Sequence, residues 1–173
     1  MTKENYWGLV AELASIDSAL EEIHQELVAA ANRIDPQNPD VDLVKSLALT
    51  LHHLYTGIED ALLRIAEVVD GGKPSGENWH FSLLRQMAGG IEGLRPPVLR
   101  RETLEFLDQL RGFRHLVRHA YQRHYEWRRI AENVQAAMQG WPLFREDLRE
   151  FQAFLQLMLH GLKREQRRRS PES

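Results

Sequence analysis

The sequence contains no cysteine among its 173 residues. This absence excludes a disulfide framework, a cysteine nucleophile and thiolate zinc sites, and it is typical of a protein in a reducing compartment. No segment approaches the roughly 20 apolar residues that a membrane-spanning helix needs. The first residues also lack the apolar run of a secretory signal. We therefore expect a cytoplasmic protein with no membrane partner.

The sequence also lacks any convincing strand pattern, because every long segment repeats its apolar residues at three- and four-residue steps. These stripes predict helices over about residues 3–34, 41–69, 79–88, from 102 onward, and 143–163. Asp40 is the expected N-cap of the second helix, and Gly140-Trp141-Pro142 is expected to break the chain before the last one. The predicted fold class is all-α, an up-and-down helical bundle of four to six helices. A single domain is expected over residues 1–165, followed by a disordered tail over 166–173.

Positive charge is concentrated in the second half of the chain. Residues 1–100 contain 8 Lys and Arg against 15 Asp and Glu, whereas residues 101–173 contain 14 against 10. The chain as a whole carries a formal charge of −3. A non-specific nucleic-acid coat protein would be strongly basic, so this distribution indicates a local phosphate-binding site instead.

The most unusual segment spans residues 111–129 and reads RGFRHLVRHAYQRHYEWRR. It holds six arginines, three histidines and two tyrosines, with Glu126 as its single acidic residue. RNA can be cut without a metal when a base removes the 2′-hydroxyl proton and the oxygen attacks its own phosphate. A histidine suits the proton transfer at neutral pH, and an arginine suits the charged phosphoryl oxygens. Arg114 and His119 are therefore the candidate catalytic pair.

The spacing of this pair poses a geometric problem. Five residues on a regular helix rotate by about 140°, so Arg114 and His119 do not share a face. Either the helix bends between them, or a second copy of the chain completes the site across a two-fold axis. The second solution is the more economical.

On composition alone, a solvated basic face with satisfied histidines is the more common explanation of such a segment. Other kinds of site are weaker alternatives. His115 and His119 stand four residues apart, but the H-E-x-x-H pattern of a zinc enzyme is absent, so no metal or other cofactor is expected. The glycine-rich segment 70–76 lacks the P-loop spacing and is interpreted as a connector.

The segment Arg114-His115-Leu116-Val117-Arg118-His119-Ala120-Tyr121 resembles the R-x4-H-x-Y motif of the HEPN-domain ribonuclease toxins of the HepT type. Three flanking sequence segments also resemble this family: LYTGIE at 54–59, PSGE at 74–77 followed by WH at 79–80, and RPPVL at 95–99. The resemblance covers roughly residues 45–130.

The resemblance implies a HEPN-like bundle that forms a homodimer, with two motif helices in a shared cleft. It also implies a metal-independent endoribonuclease, the toxin of a type VII-like toxin–antitoxin pair. The antitoxin would be a minimal nucleotidyltransferase (MNT) that transfers AMP from ATP to the motif tyrosine, here Tyr121. Residues that would support the site or bind RNA are His115, Arg118, Arg111 and Arg123.

Three points stay open from the sequence. The RNA substrate could be tRNA or mRNA. A second, wider-spaced set of Arg118, His124 and Tyr125 follows the first, although its spacing matches the motif less well. The competing hypothesis is a non-catalytic helical protein whose basic segment binds RNA or an acidic partner.

Overall fold

The computed structural model describes the backbone of residues 3–119 and 126–169, and the side chains of residues 5–113 and 126–161. Five α-helices follow one another within these ranges: α1 Lys3–Ala31, α2 Val41–Ile65, α3 Trp79–Ala88, α4 Arg101–His119 and α5 Trp127–Arg169. A single π-helical turn, Ala66–Asp70, extends α2. No strand occurs in the part of the chain that is described, where one isolated bridge joins Ile91 to Arg95. The predicted all-α bundle is confirmed.

The start of α2 agrees with the prediction from the sequence. Asp40 has an extended backbone, and its Oδ1 accepts a hydrogen bond from the Leu43 amide at 2.8 Å. This contact satisfies one of the amides that a helix leaves unpaired at its first turn. α3 has the predicted bounds, but Asn78 at its N-cap position makes no side-chain capping bond.

The core lies where the apolar sides of the helices meet. α1 packs against α2 and α5, and α4 packs against α5, α3 and α2. α1 contributes four buried leucines, spaced one or two turns apart: Leu9, Leu13, Leu20 and Leu27. Among the described helices, none is both long enough and apolar enough to cross a membrane.

The predicted break at Gly140-Trp141-Pro142 is wrong, because α5 continues through it as one helix of 43 residues. Pro142 removes one backbone hydrogen bond, which ordinarily costs about 3 kcal/mol inside a helix. Packing against α1 offsets this cost. Trp141 is buried, and its Nε1 donates to Glu21 Oε2 at 2.9 Å. One turn later, Arg145 donates to the same Glu21 oxygen at 2.6 Å.

The C-terminal end of α5 includes the first part of the segment that was expected to be a tail. The helix extends to Arg169, so residues 166–169 are helical, while residues 170–173 lie outside the described range.

Gly140 provides a test of how α4 and α5 fit together. A Cβ added at this position would lie 2.2 Å from Cγ of Phe106, a rigid ring on α4. We expect Gly140→Ala to destabilise the fold by about 1–3 kcal/mol through overpacking, despite the better helix propensity of alanine. Urea unfolding followed by circular dichroism measures the difference.

The matched control is Gly161→Ala on the same helix, where an added Cβ meets nothing within 4 Å. It should leave stability unchanged or raise it by up to about 1 kcal/mol. Equal effects of the two substitutions would contradict the close approach of Phe106 to Gly140.

His24 gives the fold a predictable dependence on pH. Its ring stacks on Trp141 with centroids 5.7 Å apart, and its buried Nε2 has no hydrogen-bond partner among the described residues. Burial lowers the pKa of His24 below its ordinary value of 6.5, although Glu21 opposes the shift. The unfolded chain therefore binds more protons than the folded chain between these two pKa values.

This contribution to stability is fully present above about pH 6.5 and is lost as pH falls through the folded pKa of His24. We expect the melting temperature to drop between about pH 7.5 and about pH 5, and His24→Phe to flatten that drop. Hydrogen bonding to Trp141 lowers the pKa of Glu21 below its ordinary value of 4.5. The stability that Glu21 contributes is therefore fully present above about pH 4.5 and is lost only at lower pH. The control His53→Asn, at an exposed position of α2, should keep the pH dependence of the parent.

Candidate functional site

The helix that carries the motif is fixed to α5 at Arg100, the residue just before α4 begins. The Arg100 amide donates to Oδ2 of the buried Asp147 at 3.0 Å, and the Arg100 guanidinium binds Asp147 Oδ1 and Glu146. These contacts, with Glu146 first, raise the pKa of Arg100 above its ordinary value. The first three turns of α4 then bury their inner side, which consists of Thr103, Phe106, Leu107, Leu110 and Phe113. The remaining turns of α4 therefore extend from an anchored base.

The predicted site residues follow at the other end of this helix. Arg114, His115, Arg118 and His119 belong to the backbone of α4, but their side chains lie outside the described part of the chain. Tyr121 and Arg123 lie outside the described residues altogether. The arginine and the histidine of the motif are thus located on α4, and the positions of the site side chains stay a prediction.

The backbone decides one of the questions that the sequence left open. α4 is helical without interruption from Arg101 to His119. The bend that could have brought Arg114 and His119 onto one face is therefore absent between them. Positions 114 and 119 remain about 140° apart around the helix axis.

Arg111 is the predicted site residue whose side chain is described. It lies one turn before Arg114, and its Nε donates to Asp108 Oδ1 at 2.7 Å. Its guanidinium carbon lies 5.4 Å from the centroid of the Phe81 ring on α3. Arg85, also on α3, places its guanidinium carbon 5.9 Å from the same ring. Phe81 and Arg85 were not predicted from the sequence, although their spacing of four residues puts them on one side of a helix.

Two of the flanking segments meet in the bundle. Glu59 on α2 is only 3% exposed, and its carboxylate contacts Nδ1 of His80 at the start of α3. The Trp79 and His80 rings lie 3.5 Å apart. The carboxylate fixes the orientation of the imidazole and holds α3 against α2. The described side chains contain no group of three or more His, Asp or Glu residues that could hold a metal ion.

The third flanking segment is built around Arg95. Its guanidinium makes a two-pronged contact with Asp70, at 2.5 Å from Nε and 2.7 Å from Nη2. The other N–H groups donate to the backbone carbonyls of Gln86, Gly89 and Pro96 at 2.8–3.1 Å. The side chain of Arg95 is 0% exposed and that of Asp70 is 4% exposed. Arg95 is therefore a structural residue, and the glycine-rich segment after Asp70 connects α2 to α3.

The chain matches one family model over residues 46–155, and that family is described as HepT-like protein. The matched range includes α3, α4, most of α2 and the first two thirds of α5. It contains the whole R-x4-H-x-Y segment and the Glu59–His80 and Asp70–Arg95 pairs. No curated protein and no solved structure matches the chain.

Proposed function

The chain belongs to the HepT-like protein family, and on this premise we propose that it is a metal-independent endoribonuclease. We propose further that it acts in the cytoplasm as the toxin of a type VII-like toxin–antitoxin pair. The observation that carries the proposal is that the family match includes Arg114, His119 and Tyr121 on and just after an anchored helix. The substrate would be tRNA or mRNA.

The proposed reaction needs no group beyond the side chains of the motif. His119 takes the proton from the 2′-hydroxyl, or gives a proton to the leaving 5′ oxygen, as acid/base. The 2′ oxygen bonds to phosphorus, the bond to the 5′ oxygen breaks, and a 2′,3′-cyclic phosphate and a 5′-hydroxyl result. Arg114 stabilises the negative charge that gathers on the phosphoryl oxygens. His115, Arg118, Arg111 and Arg123 support the site or bind flanking RNA.

We propose that the active unit is a homodimer. Because α4 does not bend between Arg114 and His119, one helix presents these two positions in different directions. Two copies related by a two-fold axis can bring Arg114 of one chain near His119 of the other. The same arrangement forms a cleft between two basic helices, which suits a polyanion.

The first test is RNA cleavage in the presence of EDTA. The parent should cut single-stranded RNA and leave 2′,3′-cyclic ends. Arg114→Ala and His119→Ala should each lower the rate by about 10²- to 10⁴-fold, because they remove charge stabilisation or proton transfer. The control Arg101→Ala removes an exposed arginine of the same helix, which is paired with Glu105, and should cut at the rate of the parent.

Two results would overturn the proposal. Unchanged cleavage by both motif variants would remove the site assignment, and loss of parent activity in EDTA would indicate a metal enzyme. Salt-sensitive RNA binding by the parent with no cyclic product would favour a non-catalytic RNA-binding protein.

We also propose that an MNT nucleotidyltransferase neutralises the toxin by transferring AMP from ATP to Tyr121. A phosphate attached two residues after His119 would place a bulky anion where the RNA phosphate has to lie, so charge and steric hindrance would both block cleavage.

Incubation with such an enzyme and ATP should add one AMP per chain and abolish cleavage. Tyr121→Phe should keep cleavage and lose the modification. Tyr55 is a built-in control because it is buried in α2. A peptide map with the AMP on any residue other than Tyr121 would contradict the assignment.

A further inference from the structure

An aromatic ring lies exposed between two arginines at the seam of α3 and α4. Phe81 is 39% exposed, although most large apolar side chains of the described core are almost fully covered. The guanidinium carbons of Arg111 and Arg85 lie 5.4 Å and 5.9 Å from its ring centroid. Contacts of this kind at exposed sites stabilise a fold only weakly. Stability alone is therefore a weak reason for leaving this ring in solvent.

Most donors of the two arginines have no partner among the described residues. Among the arginines with described side chains, Arg85 and Arg33 are the two without a carboxylate partner. Arg111 uses Nε to bind Asp108, and its Nη1 and Nη2 make no hydrogen bond to described residues. Counting the described side chains alone, the cluster around Phe81 combines two guanidiniums with one carboxylate, that of Asp108, and so carries a net positive charge.

The cluster lies next to the proposed cleavage site. Arg111 precedes Arg114 by three residues on an unbroken helix, which corresponds to about 4.5 Å along the axis and about 60° short of a full turn. Phe81 contacts Arg111 from the neighbouring helix. A chain of nucleotides whose phosphate lies at position 114 would therefore bring an adjacent nucleotide to the ring.

We propose that Phe81, Arg85 and Arg111 form a stacking site for a base of single-stranded RNA beside the cleaved phosphate. This inference rests on the proposed ribonuclease function for its substrate class. The exposed ring would stack on the base, and the two guanidiniums would bind the flanking phosphates. Unpaired bases are available for such stacking, whereas the bases of an RNA duplex are not. Because every base has a π-face, the site selects single strands and reads little sequence.

Binding can be tested separately from cleavage. In the His119→Ala background, a fluorescently labelled single-stranded RNA oligonucleotide is titrated and its anisotropy is followed. Phe81→Ala and Phe81→Leu should weaken binding roughly 5- to 100-fold, since stacking on an aromatic ring is lost in both. Phe81→Trp should bind as tightly as the background protein or more tightly. Phe81→Leu separates stacking from mere apolar contact.

The arginines have a distinct signature in the salt dependence. Arg85→Ala should weaken binding and lower the slope of log Kd against log salt by about one. The matched control is Arg33→Ala, the other exposed arginine without a carboxylate partner, which lies in the turn after α1. It should leave both the affinity and the slope unchanged. Melting temperatures and light scattering verify that each variant keeps its fold and oligomeric state.

The outcomes separate this inference from the proposed function. Parent-like binding by Phe81→Ala and Phe81→Leu, in a protein whose parent cuts RNA, would overturn the stacking site and leave the ribonuclease intact. Loss of the oligomer in these variants with unchanged RNA affinity would assign Phe81 to a protein interface and also overturn it. A parent that neither binds nor cuts RNA would overturn both.

Discussion

The contact on which the rest of the site depends is the buried pair of Arg95 and Asp70. The last turn of α3 and the irregular segment after it contain backbone carbonyls that would remain unpaired in the interior without a donor. Arg95 supplies that donor to Gln86, Gly89 and Pro96 while Asp70 neutralises its charge. Removing one partner of such a buried pair costs about 3–5 kcal/mol, because the other is left as an uncompensated charge. The pair thereby fixes where α3 ends relative to the start of α4.

This constraint reaches the proposed RNA-binding surface through two helices. α3 carries Phe81 and Arg85, and α4 carries Arg111, so the geometry of the cluster depends on how α3 and α4 are joined. The Glu59–His80 contact holds the first turn of α3 to α2, and Asp147 holds the first turn of α4 to α5. Both helices are therefore fixed near their N-termini. Fixing both helices in this way favours a preorganised surface between them, which lowers the entropic cost of binding.

The sequence predicted the helices where local rules and packing agree. The apolar stripe of α2 and its Asp40 cap act in the same direction, so the predicted start of the helix at residue 41 was confirmed. At Pro142 the two disagree: the local rule demands a break, whereas Trp141 and Arg145 bind Glu21 on α1, more than a hundred residues away. No window of sequence contains that contact. The same limit explains why Phe81 and Arg85 were not predicted, because the cluster forms only when α4 brings Arg111 beside the Phe81 ring.

The candidate catalytic residues came from the motif and its resemblance, and the structure adds a constraint that the motif did not contain. An unbroken α4 keeps positions 114 and 119 on different sides of the helix. A single chain therefore presents the proposed phosphate-binding arginine and the proposed acid/base histidine in different directions. In a two-fold homodimer, each composite cleft would then have a Phe81 cluster beside it, because both chains carry the same α3–α4 seam. A strand crossing the cleft would meet a stacking ring next to the phosphate that is cut. The proposed homodimer and the proposed stacking site therefore support each other: dimerisation completes the chemistry, and the ring orients the strand on which that chemistry acts.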